Sequence, residues 1–470
     1  MASCTAALGP GYSIEKQEIR VQFDPGPNPL IRVDSDFQLR NTGNQPLSSL
    51  EMRLSGRRRF RIARSEAIWD GASLSEENVP SIPRNTLLSL PRTWDVGERH
   101  TLHLYSEFQT PAADEPGYSF SSDAFFLPSE GWAPELLPSA GLFATGGVPP
   151  DKWLLQVRVP DGFLVHSSGR SVKTSRHGPE LTIQSVQHPD DHYPFVVAGR
   201  YKQTILDTAA GKVLLWTRTE EDVSRLNQSA DALVLAIRAY NATFGTRAPK
   251  GLPLWIVECP VVAGCFTASA SSYAKLLSAE PGTVSSELAS ADTLMIDLSG
   301  GAPKLAAAAP GLAASWLGYG RNPAFYEQEL PLSALPAFAS ALGEEAIEGP
   351  SFRAETIRRA LRMIPKSPPG GRKKEDEPVL RAKSFLFFFG LQDRYGREAF
   401  RRAIDHMLSA RQGRGFNLND LIAAFEEETH QNVAEFERLW MKHPGVPEEF
   451  RARYEDASAA SITTSKETMP

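Results

Sequence analysis

The sequence predicts an α+β chain of two domains, an antiparallel β domain followed by a mostly helical one. Two observations carry this. From residue 17 to about 204, apolar and polar residues alternate in short runs, the period of a strand with one buried face. From Glu221 onward the apolar spacing changes to three and four, the period of amphipathic helices. The break between the two regimes places a β domain at 1–204 and a second domain at 205–452, with a disordered tail at 453–470 that is rich in Ser, Thr and Ala.

The strands come first. EIRVQF, IRVDSDFQLRN, SSLEMRL, HTLHLYSEF, KWLLQVRVP, LTIQSV and PFVVAGRYKQTIL each alternate over several positions. DPGPNP, RNTGN and PDG separate them with the residues that turns require. Seven such runs describe an antiparallel sandwich or saddle. Glu221 to Phe244 then reads as a helix and LPLWIVECP as a strand. Beyond residue 303 the runs LAAAAPGLAASWLG, SALPAFASAL, FRAETIRRALRMI, KSFLFFFGLQDRYG, REAFRRAIDHMLSA, LNDLIAAFEEETH and VAEFERLWMKH are all helical in spacing. Asn417 or Asn419 is placed to cap one of them. KSPPGGRKKEDEP, Lys366 to Pro378, is a charged connector.

Composition excludes several functions. Fifty Lys and Arg against 56 Asp and Glu give a net charge of −6, spread along the chain, which offers nucleic acid no footprint. Three cysteines without a CxxC pair make neither a disulfide framework nor a thiolate zinc site. No stretch reaches the length of a membrane span. The N-terminus, MASCTAALGPGYSIEKQ, has neither the basic start nor the apolar run of a signal peptide, so the chain as written reads as cytoplasmic. A true start further upstream would leave a secreted or periplasmic location open.

Candidate chemistry is sparse. His188 and His192 stand at i,i+4, a spacing that on a helix aims two imidazoles at one metal, but Pro189 and the β run after them favour a turn. His100 and His103 flank a strand start and read as surface residues. The arginines from Arg57 to Arg64 read as the outer face of a strand rather than a phosphate site. No phosphate loop, dinucleotide fingerprint or Gly-x-Ser-x-Gly elbow occurs. Cys265 reads as a small buried residue rather than a nucleophile, and Ser315 and Ser384 have no triad partner in view.

Several segments in order resemble the aminopeptidase-N family of gluzincin metallopeptidases, which includes leukotriene hydrolase. They are FFLPSEGWAPELLP (Phe125 to Pro138), VPDGFLVHSSG, HYPFVVAGRYKQ, AIRAYNATFG before LPLWIVECP, LFFFGLQDRYGREAFRRAIDHML, the Asn-Asp-Leu of FNLNDL, and FERLWMKHPGVPEE. The likeness spans about residues 20 to 452 and implies a β saddle followed by a thermolysin-like peptidase domain. In the family a helix carries His-Glu-x-x-His, then a Trp and a Gly; a Glu nineteen positions after the second His completes the zinc site. Here the corresponding run is Pro310-Gly311-Leu312-Ala313-Ala314-Ser315-Trp316-Leu317-Gly318. Pro310 and Ala314 stand for the two histidines, Gly311 for the catalytic Glu, and Ser333 for the last ligand. The family's Gly-x-Met-Glu-Asn strand, which holds a substrate's amino terminus, aligns with Gly264-Cys265-Phe266-Thr267-Ala268, so Thr267 replaces its Glu. Arg381 stands where the family has the Tyr that stabilises the oxyanion.

The resemblance therefore implies a peptidase fold without its zinc cofactor, catalytic residues or metal ligands. A groove between the domains, lined by Gly264, Phe266, Ser269, Trp316, Tyr319 and Ser333, is expected to take a peptide or protein ligand. The alternative is an active aminopeptidase with unusual ligands, for instance His188, His192, Glu327 or Glu329.

Overall fold

The computed structural model describes residues 11–53, 61–74, 76–78, 85–109, 120–128, 132–138, 148–186, 194–208, 211–218, 234–244, 254–260, 286–290, 293–296, 334–366, 377–410 and 417–455. The chain divides into two compact units, Met1–Lys202 with Cys259–Cys265, and Gln203–Glu258 with Phe266–Pro470.

The first unit is built on one long sheet of eight strands in the order β14-β15-β12-β1-β2-β8-β4-β5, its outer strands being β14 (Arg170–His177) and β15 (Glu180–Val186) at one edge and β5 (Ala72–Ser73) at the other. Its centre pairs β1 (Tyr12–Asp24) antiparallel to β2 (Leu30–Asn41), and β2 antiparallel to β8 (Arg99–Gln109). β1 also runs parallel to β12 (Trp153–Pro160). One face of this sheet is apolar, and two small sheets cover it. The four-stranded sheet of β13 (Leu164–Ser167), β16 (Val196–Gly199), β10 (Ala124–Leu127) and β9 (Phe120–Ser121) closes a core around Ile19, Val21, Phe23, Phe125 and Val157. The sheet of β11 (Glu135–Leu137), β3 (Leu47–Arg53), β7 (Asn85–Trp94) and β6 (Glu76–Asn78) closes a second core around Tyr12, Ile14, Phe37, Trp69 and Trp94.

A bulge lets β1 serve both cores. Strict alternation from Tyr12 and Ile14 would turn Gln17 and Ile19 differently, because a slip of one residue exchanges the faces. The register shift between Ile14 and Lys16 absorbs that extra residue, and Ile19, Val21 and Phe23 return to the buried side. The opposite face is a ladder of cross-strand ion pairs: Arg20 with Asp36, Arg32 with Asp24 and, at 3.4 Å, Glu107. His103 lies in that ladder, half-buried, with Nδ1 2.7 Å from Asp36.

His100 corrects the sequence reading. It is 7 % exposed, between the rings of Trp69 (centroids 4.9 Å apart) and Trp94 (6.0 Å), and its two nitrogens face Asp70 and Glu98. Its place at a strand start suggested the surface; the hairpin turns at Asp70 and Gly97 fold two carboxylates and two indoles over it. Of the arginine segment, Arg61 and Arg64 lie in β4 (Arg61–Trp69), with Arg64 exposed and paired to Glu66, while Arg57, Arg58 and Arg59 lie outside the described residues.

The second unit begins with a five-stranded sheet ordered β17-β18-β19-β21-β20, with β17 (Lys202–Thr208) and β20 (Ser286–Ser290) at its edges. β18 (Gly211–Thr217), β19 (Leu254–Glu258) and β21 (Thr293–Ile296) run parallel. A helix over residues 234–244, here α1, provides the crossover that two parallel strands require. Then come α2 (Leu335–Glu348), α3 (Pro350–Arg362), α4 (Glu377–Tyr395), α5 (Arg397–Ala410), α6 (Leu418–Thr429), α7 (Val433–Met441) and α8 (Glu448–Glu455).

These helices share one core. α4 is its axis: Phe385, Leu386, Phe387, Phe388 and Phe389 are all buried, so it shows apolar side chains all round rather than on one stripe. Gly390 lets it approach α7, because a Cβ there would overlap the indole of Trp440. Asn417 caps α6 reciprocally with Asp420, each side chain taking the other's backbone N–H at 3.0 and 2.9 Å. Asn432 caps α7 through Glu435 N. The helix expected at 305–318 lies outside the described residues.

Candidate functional site

The positions that the family resemblance singles out divide sharply in this structure. Gly264, Phe266, Thr267, Ser269, Pro310, Gly311, Ala314, Trp316, Tyr319 and Ser333 lie outside the described residues, as do His188, His192, Glu327, Glu329 and Ser315. The elements on either side of them are described. β19 ends at Glu258, whose carboxylate accepts from the Arg218 backbone N–H at 2.6 Å. Cys259 follows, 3 % exposed and disulfide-bonded.

α2 begins at Leu335, two residues beyond Ser333, with a proline in its first turn. Proline is tolerated there because its missing N–H has no partner inside the helix. Arg381, the candidate in place of the oxyanion Tyr, lies half-buried in the first turns of α4. Its neighbours belong to the core. Lys383 is 0 % exposed and its ammonium donates to the His443 carbonyl at 2.7 Å. The Ser384 hydroxyl donates to the Leu380 carbonyl one turn back, also at 2.7 Å, which places it among the helix's internal bonds rather than beside a base.

The strongest electrostatic feature is one the sequence reading did not single out. Glu344, on α2, is 7 % exposed. Burial, above all, pushes its carboxyl up to about 8; Glu348 adds to this, while the Ser340 hydroxyl at 3.3 Å and Arg359 oppose it. Tyr240 of α1 is fully buried, its phenol held far above its ordinary range by burial and then by the Glu344 charge. Its ring covers Gly343, where a Cβ would collide with it. At neutral pH Glu344 is therefore a neutral acid inside a helical core. The signal was present in the sequence: Ala337, Ala341 and Glu344 repeat at four and three, so the carboxylate continues an apolar stripe.

The donor set can be tested against zinc by its chemistry alone. Zinc takes imidazole, thiolate or carboxylate. Pro310, Gly311 and Ala314 offer no side-chain donor, and Ser333 offers only a neutral hydroxyl. These residues do not fit the metal. Among the described residues no group of three His, Cys, Asp or Glu is placed to hold an ion.

Comparison with solved structures places this architecture. An M1 zinc metallopeptidase from Deinococcus radiodurans superposes with a TM-score of 0.57 over 93 % of this chain and 95 % of that one, at 15 % identity. A variant of that enzyme bound to a Tyr-Ser-Ala substrate gives 0.56 at 14 % identity, with 93 % and 95 % covered. A two-domain M1 zinc metallopeptidase variant bound to L-arginine gives 0.55 at 14 %, with the same coverage. The chain shares the M1 metallopeptidase fold. The α+β two-domain expectation is thereby met, with a sheet-rich first part and a helical last part. No protein-family model matches the sequence, and no curated protein does. Among the described residues no helix is long and apolar enough to cross a membrane.

Proposed function

We propose that this chain is a catalytically degenerate M1-type protein, one that binds a peptide or a protein segment and does not hydrolyse it. The observation that carries the reading is the joint replacement of the family's ligand set, base and amine anchor: Pro310, Gly311, Ala314, Ser333 and Thr267 stand at those places. A single replacement would leave a weakened enzyme. Five together leave no ligand to hold Zn²⁺ against water and no metal to bring a bound water's pKa near neutrality. Pro310 and Gly311 also oppose the helix that would orient ligands, at about 3 and 1 kcal/mol if interior.

Retained binding fits what remains. Trp316 and Gly318 persist where the family has its Trp and Gly, and Phe266, Ser269 and Tyr319 supply aromatic and hydroxyl groups suited to an extended peptide. Of the solved structures with this fold, one is bound to a Tyr-Ser-Ala substrate and one to the amino acid L-arginine. A peptide-library binding screen, run beside hydrolysis of aminoacyl chromogenic substrates on one preparation, tests the reading. Peptide binding unchanged by a chelator, with no turnover, supports it. Hydrolysis that a chelator abolishes overturns it and favours metal ligands from His188, His192, Glu327 or Glu329.

A further inference from the structure

The long sheet of the first unit ends on an uncovered edge, a feature separate from the groove invoked above. β14 is its outermost strand and pairs only with β15, antiparallel, from Arg170 opposite Val186 to His177 opposite Glu180. Its sequence, RSVKTSRH, carries three permanent cations, Arg170, Lys173 and Arg176, and no acid. We propose that this edge is a docking strand for an extended acidic segment of another protein, which adds to the sheet as a further strand.

Packing does not account for β14. β1, β2, β8, β12 and β15 all bury side chains, whereas β14 buries none: seven of its eight residues are exposed and Ser175 is half-buried. Val172 is 48 % exposed. The strand is held by its ladder with β15, and the core demands neither its length nor its cations. A strand paired on one side turns the N–H and C=O groups of alternate residues outward. Among the described residues no backbone bond from a turn or loop reaches them. The register shift leaves Val172 as the extra residue, so the regular edge runs from Lys173 to His177.

The cations select the partner. Arg176 meets Asp161 at 3.3 Å; Arg170 and Lys173 have no acidic partner among the described residues. Lys173 and Arg176 are an odd number of positions apart and stand on opposite faces of the sheet. An incoming strand with carboxylates on both faces meets a cation on each. A second copy of β14 would set cation against cation. Charge guards an edge against its own kind, and a guard of one sign still admits the opposite sign. Nucleic acid fits less well: β14 has no Phe, Tyr or Trp on which a base could stack, and phosphate has no N–H to offer its outward carbonyls.

Peptide binding to the full chain tests this. The probe is acetylated, C-terminally labelled Glu-Glu-Val-Thr-Glu-Glu, followed by fluorescence anisotropy and by backbone hydrogen exchange. The expected results are saturable binding and slowed exchange at residues 170–177. Arg170→Glu with Lys173→Glu should weaken binding at least about tenfold, and Arg170→Gln with Lys173→Gln should weaken it less. Both positions are exposed, so these variants keep the fold. N-methylation of alternate peptide residues keeps every charge and should abolish binding. The proposal is overturned by no binding at about 1 mM peptide, or by slowed exchange only outside 170–177, as binding in the groove would give. It is equally overturned if Lys-Lys-Val-Thr-Lys-Lys, an oligothymidylate or the N-methylated peptide binds as well as the probe.

Discussion

Glu344 gives the most quantitative prediction. Its carboxyl titrates near 8 in the folded chain against 4.5 for the ordinary group. Between those values the folded state holds a proton that the unfolded state has released, so stability must fall as pH rises through that window. Below 4.5 both states are protonated and nothing is lost; above 8 both are ionised and the full loss is present. At 1.36 kcal/mol per pKa unit the shift sets a ceiling of about 5 kcal/mol. Relaxation and water entry around a newly charged core group reduce this, and about 2–4 kcal/mol is the expected loss. Glu344→Gln keeps the shape, stays neutral and retains a partner for Ser340. The assay is denaturant unfolding of both proteins from pH 4.5 to 9. The two curves should converge toward pH 4.5 and separate as pH rises above it, the variant being the more stable by about 2–4 kcal/mol at pH 8.5. Exposed carboxylates common to both chains cancel in the difference. Parallel profiles across the whole range would refute the argument, because Glu344 would then titrate normally.

Other perturbations probe the helical core. Gly343→Ala and Gly390→Ala drive a methyl into the rings of Tyr240 and Trp440; each should cost about 1–3 kcal/mol by chemical denaturation, and the double variant should approach the sum. Arg353 bonds Gln392 at 2.9 Å and Asp393 at 3.0 Å and covers the Phe389 ring at 4.8 Å. Arg353→Met should therefore lose about 2–3 kcal/mol, as expected when one partner of a largely buried ion pair is removed. Asn417→Ala removes one half of the α6 capping box and should lower stability by about 1 kcal/mol, visible as a shift in denaturant midpoint with an unchanged slope.

Most of the β architecture was legible because one buried face imposes a period of two, and β1, β2, β8 and β12 display it over seven or more residues each. What periodicity does not disclose is pairing. The parallel contact of β1 with β12 joins strands far apart in sequence, and the bulge after Ile14 appears only when the register is drawn. α4 shows a different limit: with Phe385 to Phe389 all buried it carries no amphipathic stripe, and its length and flanking breakers alone argue for a helix. α8 was not anticipated, since EEFRARYE has Phe450 as its one fully buried residue. His100 and Glu344 fail the polar-outside rule for a shared reason. His100 is covered by Trp69 from another strand and by Trp94 across a hairpin turn, and the Tyr240 ring, distant in sequence, packs beside Glu344 over Gly343.

The candidate site was read from sequence order and from the chemistry of the donors, and Pro310, Gly311, Ala314, Ser333 and Thr267 carry that reading. The metal content of purified chain tests it most directly. After dialysis against a weak chelator and measurement by inductively coupled plasma mass spectrometry, the account predicts zinc far below stoichiometric, under about 0.1 per chain, with no change in thermal midpoint when excess zinc is added. About one tightly held zinc per chain, released only by a strong chelator and with a fall in stability, would contradict it.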